Sequence, residues 1–134
     1  MPSRPFSARL DAELVDRLRR LSARDRVPVS QLVERLLEEA VRSEELPGIV
    51  FRSGPSGRRA GVLGGPDVWE IVRDLQAAVA AGVSDAVRHV LASTDLSEEQ
   101  VRLAASYHAS YPEEVDARIA EDAALADRLL AGVV

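Results

Sequence analysis

Arginine is the side chain through which this protein has most to offer chemically. Lysine is absent, and all 17 basic residues other than the two histidines are arginine. A guanidinium stays charged at physiological pH and presents a planar fork of donors suited to carboxylate, phosphate or the edge of guanine. Its distribution matters more than the overall charge of -5. Residues 1–60 hold 12 arginines against 9 acidic residues, or +3, while residues 61–134 hold 5 against 13, or -8. A dimer of basic halves could meet phosphates, with the acidic halves facing away or meeting a basic partner.

Other chemistries find no footing. His89 and His108 have neither cysteine nor a matching ligand spacing beside them, so no metal site is expected. The glycines between positions 54 and 65 lack both a Walker lysine and the spacing of a dinucleotide loop, and read as turns. No nucleophile, base and orienting acid stand together, so neither an enzyme nor a cofactor is expected. Trp69, Tyr107 and Tyr111 read as packing residues rather than a platform for bases, because helical spacing sets Trp69 beside an apolar face.

The elements that must position these side chains follow from periodicity. Phe6, Ala8 and Leu10 alternate with Ser7 and Arg9, the pattern of a half-buried strand. One strand cannot satisfy its own backbone, so the same strand of a second copy is the expected partner. Asp11 caps a helix over residues 12–23 with Leu14, Leu18 and Leu21 along one side. Residues 25–28 end it, and Ser30 stands where the next N-cap belongs. Leu32, Val33, Leu36, Leu37, Ala40 and Val41 then form a broad stripe on a helix reaching about Ser43. Leu46-Pro47-Gly48 breaks the helix and divides the chain into residues 1–46 and 47–134.

Beyond the break, residues 49–52 and 58–63 flank a glycine-rich turn as a β-hairpin. Asp67 caps a helix bearing Val68, Ile71, Val72, Leu75 and Val79, which Gly82 ends. A short helix over residues 85–92 buries Val87, Val90 and Leu91. Ser97 and Gln100 then spell a capping box with Leu96 and Val101 as its staple. A last helix starts at Tyr111-Pro112, carries Val115 and Ile119, and extends through Leu125, Leu129 and Leu130. The length suits two small units, and the absence of cysteine fits a reducing compartment. No signal peptide or membrane span is read, so a cytoplasmic location is expected.

The strand, the Leu10-Asp11 helix start, the leucine-rich helix, the Val29-Ser30 turn and the second apolar helix resemble the ribbon-helix-helix proteins of the Arc, MetJ and CopG kind. The resemblance covers roughly residues 4–46. It implies a homodimer whose paired strands enter the major groove of operator DNA. Ser7 and Arg9 would be the outward readers, with Arg4 beside them, and the amino end of the second helix at Ser30 would clamp a phosphate. Pro5 departs from the polar residue usual at the third outward position and shortens the readable ribbon. Arg17, Arg19, Arg20, Arg24 and Arg26 read as a solvated helix face.

From Pro47 the chain is similar to the small helical family catalogued as domain of unknown function 433. The likeness rests on Pro47-Gly48-Ile49, Gly57-Arg58-Arg59, Asp67-Val68-Trp69, Gly82, the run from Asp95 to Val101, Ala104-Ala105 with Tyr107, and the run from Tyr111 to Asp116. It implies a helix-turn-helix-like domain and an antitoxin, VapB-like in role, that binds a PIN-like nuclease toxin. Arg102 stands alone against Glu98 and Glu99 in the helix that would read DNA, so protein binding is favoured for this half. Arg58, Arg59, Arg118 and Arg128 are candidates to enter the carboxylate site of the toxin, with Tyr111 as a further contact. The expected fold is mainly α with a short N-terminal β-strand: a ribbon-helix-helix dimer joined to a small helical domain with a β-hairpin. The rival readings are a stand-alone transcriptional regulator whose second half oligomerises or senses a ligand, and a structural module in which the ribbon only dimerises.

Overall fold

In the computed structural model, which describes residues 2–133, Asp11 begins the regular structure. Its carboxylate accepts from the Leu14 N–H at 3.3 Å and caps α1, Ala12–Asp25. Helix α1 ends at Arg26, which adopts the left-handed conformation at φ 56° and returns its N–H to the Ser22 carbonyl. The second helix, α2, spans Val29–Glu45. It starts one residue before the expected cap: the Pro28 carbonyl accepts from the Leu32 N–H at 3.0 Å, placing Ser30 inside the first turn. Proline suits that position because it lacks the N–H that a helix start leaves unbonded and its ring holds φ near the helical value.

The expected N-terminal strand is not among the elements. Residues 2–11 form no ladder and are all exposed. The reason is the one that makes a lone strand improbable in water: nothing in a single chain offers this segment a row of donors and acceptors. Residues 1–41 form one compact unit and residues 42–134 another. In the first unit α1 buries no side chain, and in α2 only Leu32 is buried. Phe6 is 87% exposed, Leu37 55% and Val41 50%, while Leu18, Leu21, Val33 and Leu36 are half-buried, so the apolar stripes read from periodicity are only partly covered.

The second unit has a closed core. Strands β1, Ile49–Gly54, and β2, Gly57–Val62, pair antiparallel from Ile49 opposite Val62 to Gly54 opposite Gly57, around a Pro55-Ser56 turn. Four helices follow: α3, Val68–Ala80; α4, Ala86–Ser93; α5, Glu98–Ser110; and α6, Pro112–Val133. Ile49, Val62, Val68, Ile71, Val90, Val101 and Tyr107 form the fully buried centre, with Val115 of α6 closing it. Local chemistry starts the first three of these helices. Glu70 accepts from the Asp67 N–H at 3.0 Å, Asp85 from the Arg88 N–H at 3.0 Å, and Ser97 and Gln100 exchange bonds at 3.1 and 2.9 Å.

Asp67 does more than start α3. Buried to 7% exposure, its carboxylate is shared by Arg52 of β1 at 3.2 Å, the Arg59 Nε of β2, and the Trp69 indole N–H at 3.3 Å. Arg52 also donates to the Val62 and Gly65 carbonyls, both at 2.8 Å. Its guanidinium lies over Gly61, where an added Cβ would fall 2.3 Å from Nη1. The hairpin is thereby tied to α3 by charge-assisted bonds that leave the buried carboxylate satisfied. Asp67→Ala would take the carboxylate partner from two guanidinium groups and an indole N–H, leaving Arg52 its two carbonyls. We expect it to lower the stability of this unit by about 2–3 kcal/mol in urea unfolding, the arginines' partial exposure keeping the loss below that of a fully buried pair.

Candidate functional site

The sequence candidates in the first unit are displayed on its surface. Arg4, Ser7, Arg9 and Ser30 are all exposed. No hydrogen bond or ion pair engages the side chains of Arg4, Ser7 or Arg9 among the described residues. Phe6 and Leu10, on the alternate positions, are exposed as well, so in a strand conformation the segment would present one polar and one apolar face. An apolar face of that kind is stable only when covered, and pairing two copies would cover it while turning Ser7 and Arg9 outward. Ser30 lies in a first turn that carries no acidic residue, so no side-chain charge there opposes an anion at the positive end of α2.

Residues 3–42 match the ribbon-helix-helix domain family. Domains of this kind typically dimerise and bind DNA. The match ends beside the boundary between the two units at Val41 and Arg42. No curated protein and no solved structure matches the chain. None of the helices among the described residues is long and apolar enough to cross a membrane.

In the second unit the structure gathers some candidates and separates others. Arg58, Arg59 and Arg118 line one cleft of about 180 Å³ with Trp69 and Glu114. Within it Arg59 is bound to Asp67, and Arg118 donates to the hydroxyl and carbonyl of Ser56, the latter at 3.3 Å, and lies 3.8 Å from Glu121. Arg58 is the more exposed, donating to the Ser53 hydroxyl at 2.9 Å. Arg128 stands apart on the exposed end of α6.

Tyr111 belongs to a cluster that sequence reasoning did not assemble. The Arg42 guanidinium, at the end of α2, donates to the Tyr107 hydroxyl at 2.7 Å and to Glu114 at 2.9 Å. Its carbon sits 3.8 Å above the centre of the Tyr111 ring, which packs against Tyr107 with 4.9 Å between centroids. Tyr107 in turn donates to Glu114, closing a ring of bonds among a cation, a phenol and a carboxylate. Nothing in the local sequence marks Arg42, whose partners lie 65 and 72 residues away.

Burial holds the Tyr107 hydroxyl in its neutral form well above its ordinary range, and the Glu114 carboxylate reinforces the shift, while Arg42 opposes it. A raised phenol pKa favours the folded state below the unfolded value and withdraws that support as pH climbs. The unfolding free energy of the protein should therefore fall above about pH 10, with tyrosinate absorbance appearing as the chain unfolds. Tyr107→Phe should start from lower stability, since Arg42 and Glu114 lose a partner, and show a shallower alkaline decline; an equally steep decline would assign it to another group.

Proposed function

We propose that the protein is a homodimeric DNA-binding regulator of the antitoxin kind. Through its first unit it represses its own operator; through its second it neutralises a PIN-like ribonuclease by direct binding. The observation that carries the reading is the ribbon-helix-helix match at residues 3–42, coinciding with an apolar face that a single chain leaves uncovered. Pairing the N-terminal segments would build the ribbon, put Arg9 and Ser7 at base edges with Arg4 near the backbone, and leave the α2 amino end at Ser30 for a phosphate.

The second half of the reading rests on charge and display. Residues 42–134 carry 9 arginines against 15 acidic residues, net -6, and so repel DNA while favouring a basic protein surface. Of the candidate arginines, Arg58 and Arg128 are exposed and Arg59 and Arg118 half-buried, so the first two are better placed to meet a toxin's metal-binding carboxylates. Arg59 and Tyr111 are engaged within the unit, so their part would be to shape the surface rather than reach across it.

Operator binding is tested with a fragment from upstream of the protein's own gene. Arg9→Ala should weaken binding at least about tenfold, since a dimer loses the contact twice. Wild-type affinity should fall steeply with added salt. Equal binding by wild type and variant would sink the proposed reading mode. Co-expression with the neighbouring gene tests the rest: its product should co-purify, be inhibited as a ribonuclease, and be released by Arg58→Glu with Arg128→Glu.

A further inference from the structure

The cleft beside Trp69 has an apolar floor and a cationic rim. Ala60, Val68, Tyr107 and Val115 line it and are all buried, and the Tyr107 hydroxyl is already spent on Arg42 and Glu114. Around them stand Arg58, Arg59 and Arg118, against Glu114 and Glu121. Glu114 accepts at 2.9 Å from Arg42, which is not part of the lining, so its charge is answered from outside the cleft. Glu121 is exposed and lies 3.8 Å from Arg118. Within a unit of net charge -6, the lining of this cleft therefore favours an anion.

Its main wall is fixed before anything binds. The Trp69 indole N–H donates to Asp67 at 3.3 Å, and the guanidinium carbons of Arg73 and Arg118 lie 5.2 and 5.8 Å from the ring centre. A wall ordered in advance spares a ligand the cost of ordering it. Arg118 is the rim group with most left to give. Its side chain is 23% exposed and donates to the carbonyl of Ser56 at 3.3 Å and to the Ser56 hydroxyl, both neutral acceptors. A carboxylate in their place would make charge-assisted bonds, roughly twice as strong. Arg59, by contrast, is committed to Asp67.

Size narrows the ligand further. At about 180 Å³ the cleft is a little larger than the ~150 Å³ cavity that accommodates benzene, which leaves room for one ring and a small polar group. Drug-sized ligands occupy pockets of about 300 Å³ or more. An inorganic anion would satisfy the rim and leave the floor uncovered, and a neutral ring would do the reverse. We propose that the cleft binds a small aryl carboxylate, its ring against Trp69 over the apolar floor and its carboxylate on Arg118. This site does not rest on the proposed function, whose toxin contacts are tested through Arg58 and Arg128.

Trp69 is the only tryptophan in the chain, so in the full protein its emission and its one indole N–H resonance report on the cleft directly. Phenylacetate is a suitable probe, carrying one ring and one carboxylate. It should move both signals saturably, with half-saturation at about 1–10 mM, as for a ligand of about ten heavy atoms with ordinary efficiency. Phenylacetamide, alike in shape but uncharged, should bind at least about tenfold more weakly, and inorganic phosphate should leave the indole resonance in place. Arg118→Gln should weaken phenylacetate binding at least about tenfold. Ala117→Phe, which fills the cleft and keeps every charge, should abolish it, with urea unfolding confirming that both variants are folded. No saturable shift up to about 50 mM phenylacetate would overturn the proposal. So would equal binding of the amide, an equal response to phosphate, or wild-type affinity in either variant.

Discussion

Everything in the first unit depends on a surface that one chain cannot cover. Forty-one residues carry two helices and an extended segment, yet Leu32 is the one buried side chain on either helix. Units of this size seldom bury enough apolar area to offset chain entropy. The alternating segment before α1 has the same difficulty in its backbone, whose donors and acceptors have no ladder to join. Pairing with a second copy, as ribbon-helix-helix domains typically do, would answer both needs. In a ribbon-helix-helix arrangement the surface that reads DNA is a by-product of the contact that makes folding possible.

The second unit resolves its own burial differently. Its core is apolar apart from two polar centres, and each holds together elements that apolar contact alone would leave free to slide. Asp67 ties both hairpin strands to the start of α3. Tyr107 and Glu114, with Arg42, tie the last turn of α2 to the junction of α5 and α6. Among the described residues no buried side-chain polar atom lacks a partner. Such networks fix register and orientation more than they add net stability, because the charges lose solvation on being enclosed. That geometry is what sets the cleft beside Trp69 with Arg58, Arg59 and Arg118 on its walls.

Much of this was legible because it is local. The starts of α1, α4 and α5 are written in Asp11, Asp85 and Ser97, each accepting from a backbone N–H three residues on, and that of α3 in Asp67, whose own N–H donates to Glu70. The hairpin announces itself by apolar strands around glycine and proline. What escaped was non-local or belonged to two chains. Arg42 looks like any arginine near a helix end until the fold brings Tyr107 to it. Arg59 and Tyr111 look available for a partner until Asp67 and Arg42 are found to engage them. Ser30 has the right chemistry for a cap, but Pro28 starts the helix sooner. The strand at Phe6 to Leu10 has the alternation of a ribbon and, in one chain, nothing to pair with.

The two uncovered apolar surfaces differ in consequence. The first unit buries only Leu32 on its two helices, so it has little core of its own. The end of α6 is attached to a helix already anchored by Val115, and the unit behind it is closed whether or not the leucines are covered. Ten exposed residues at its far end leave that core intact, so the second unit stands on its own packing, where the first has little core to stand on.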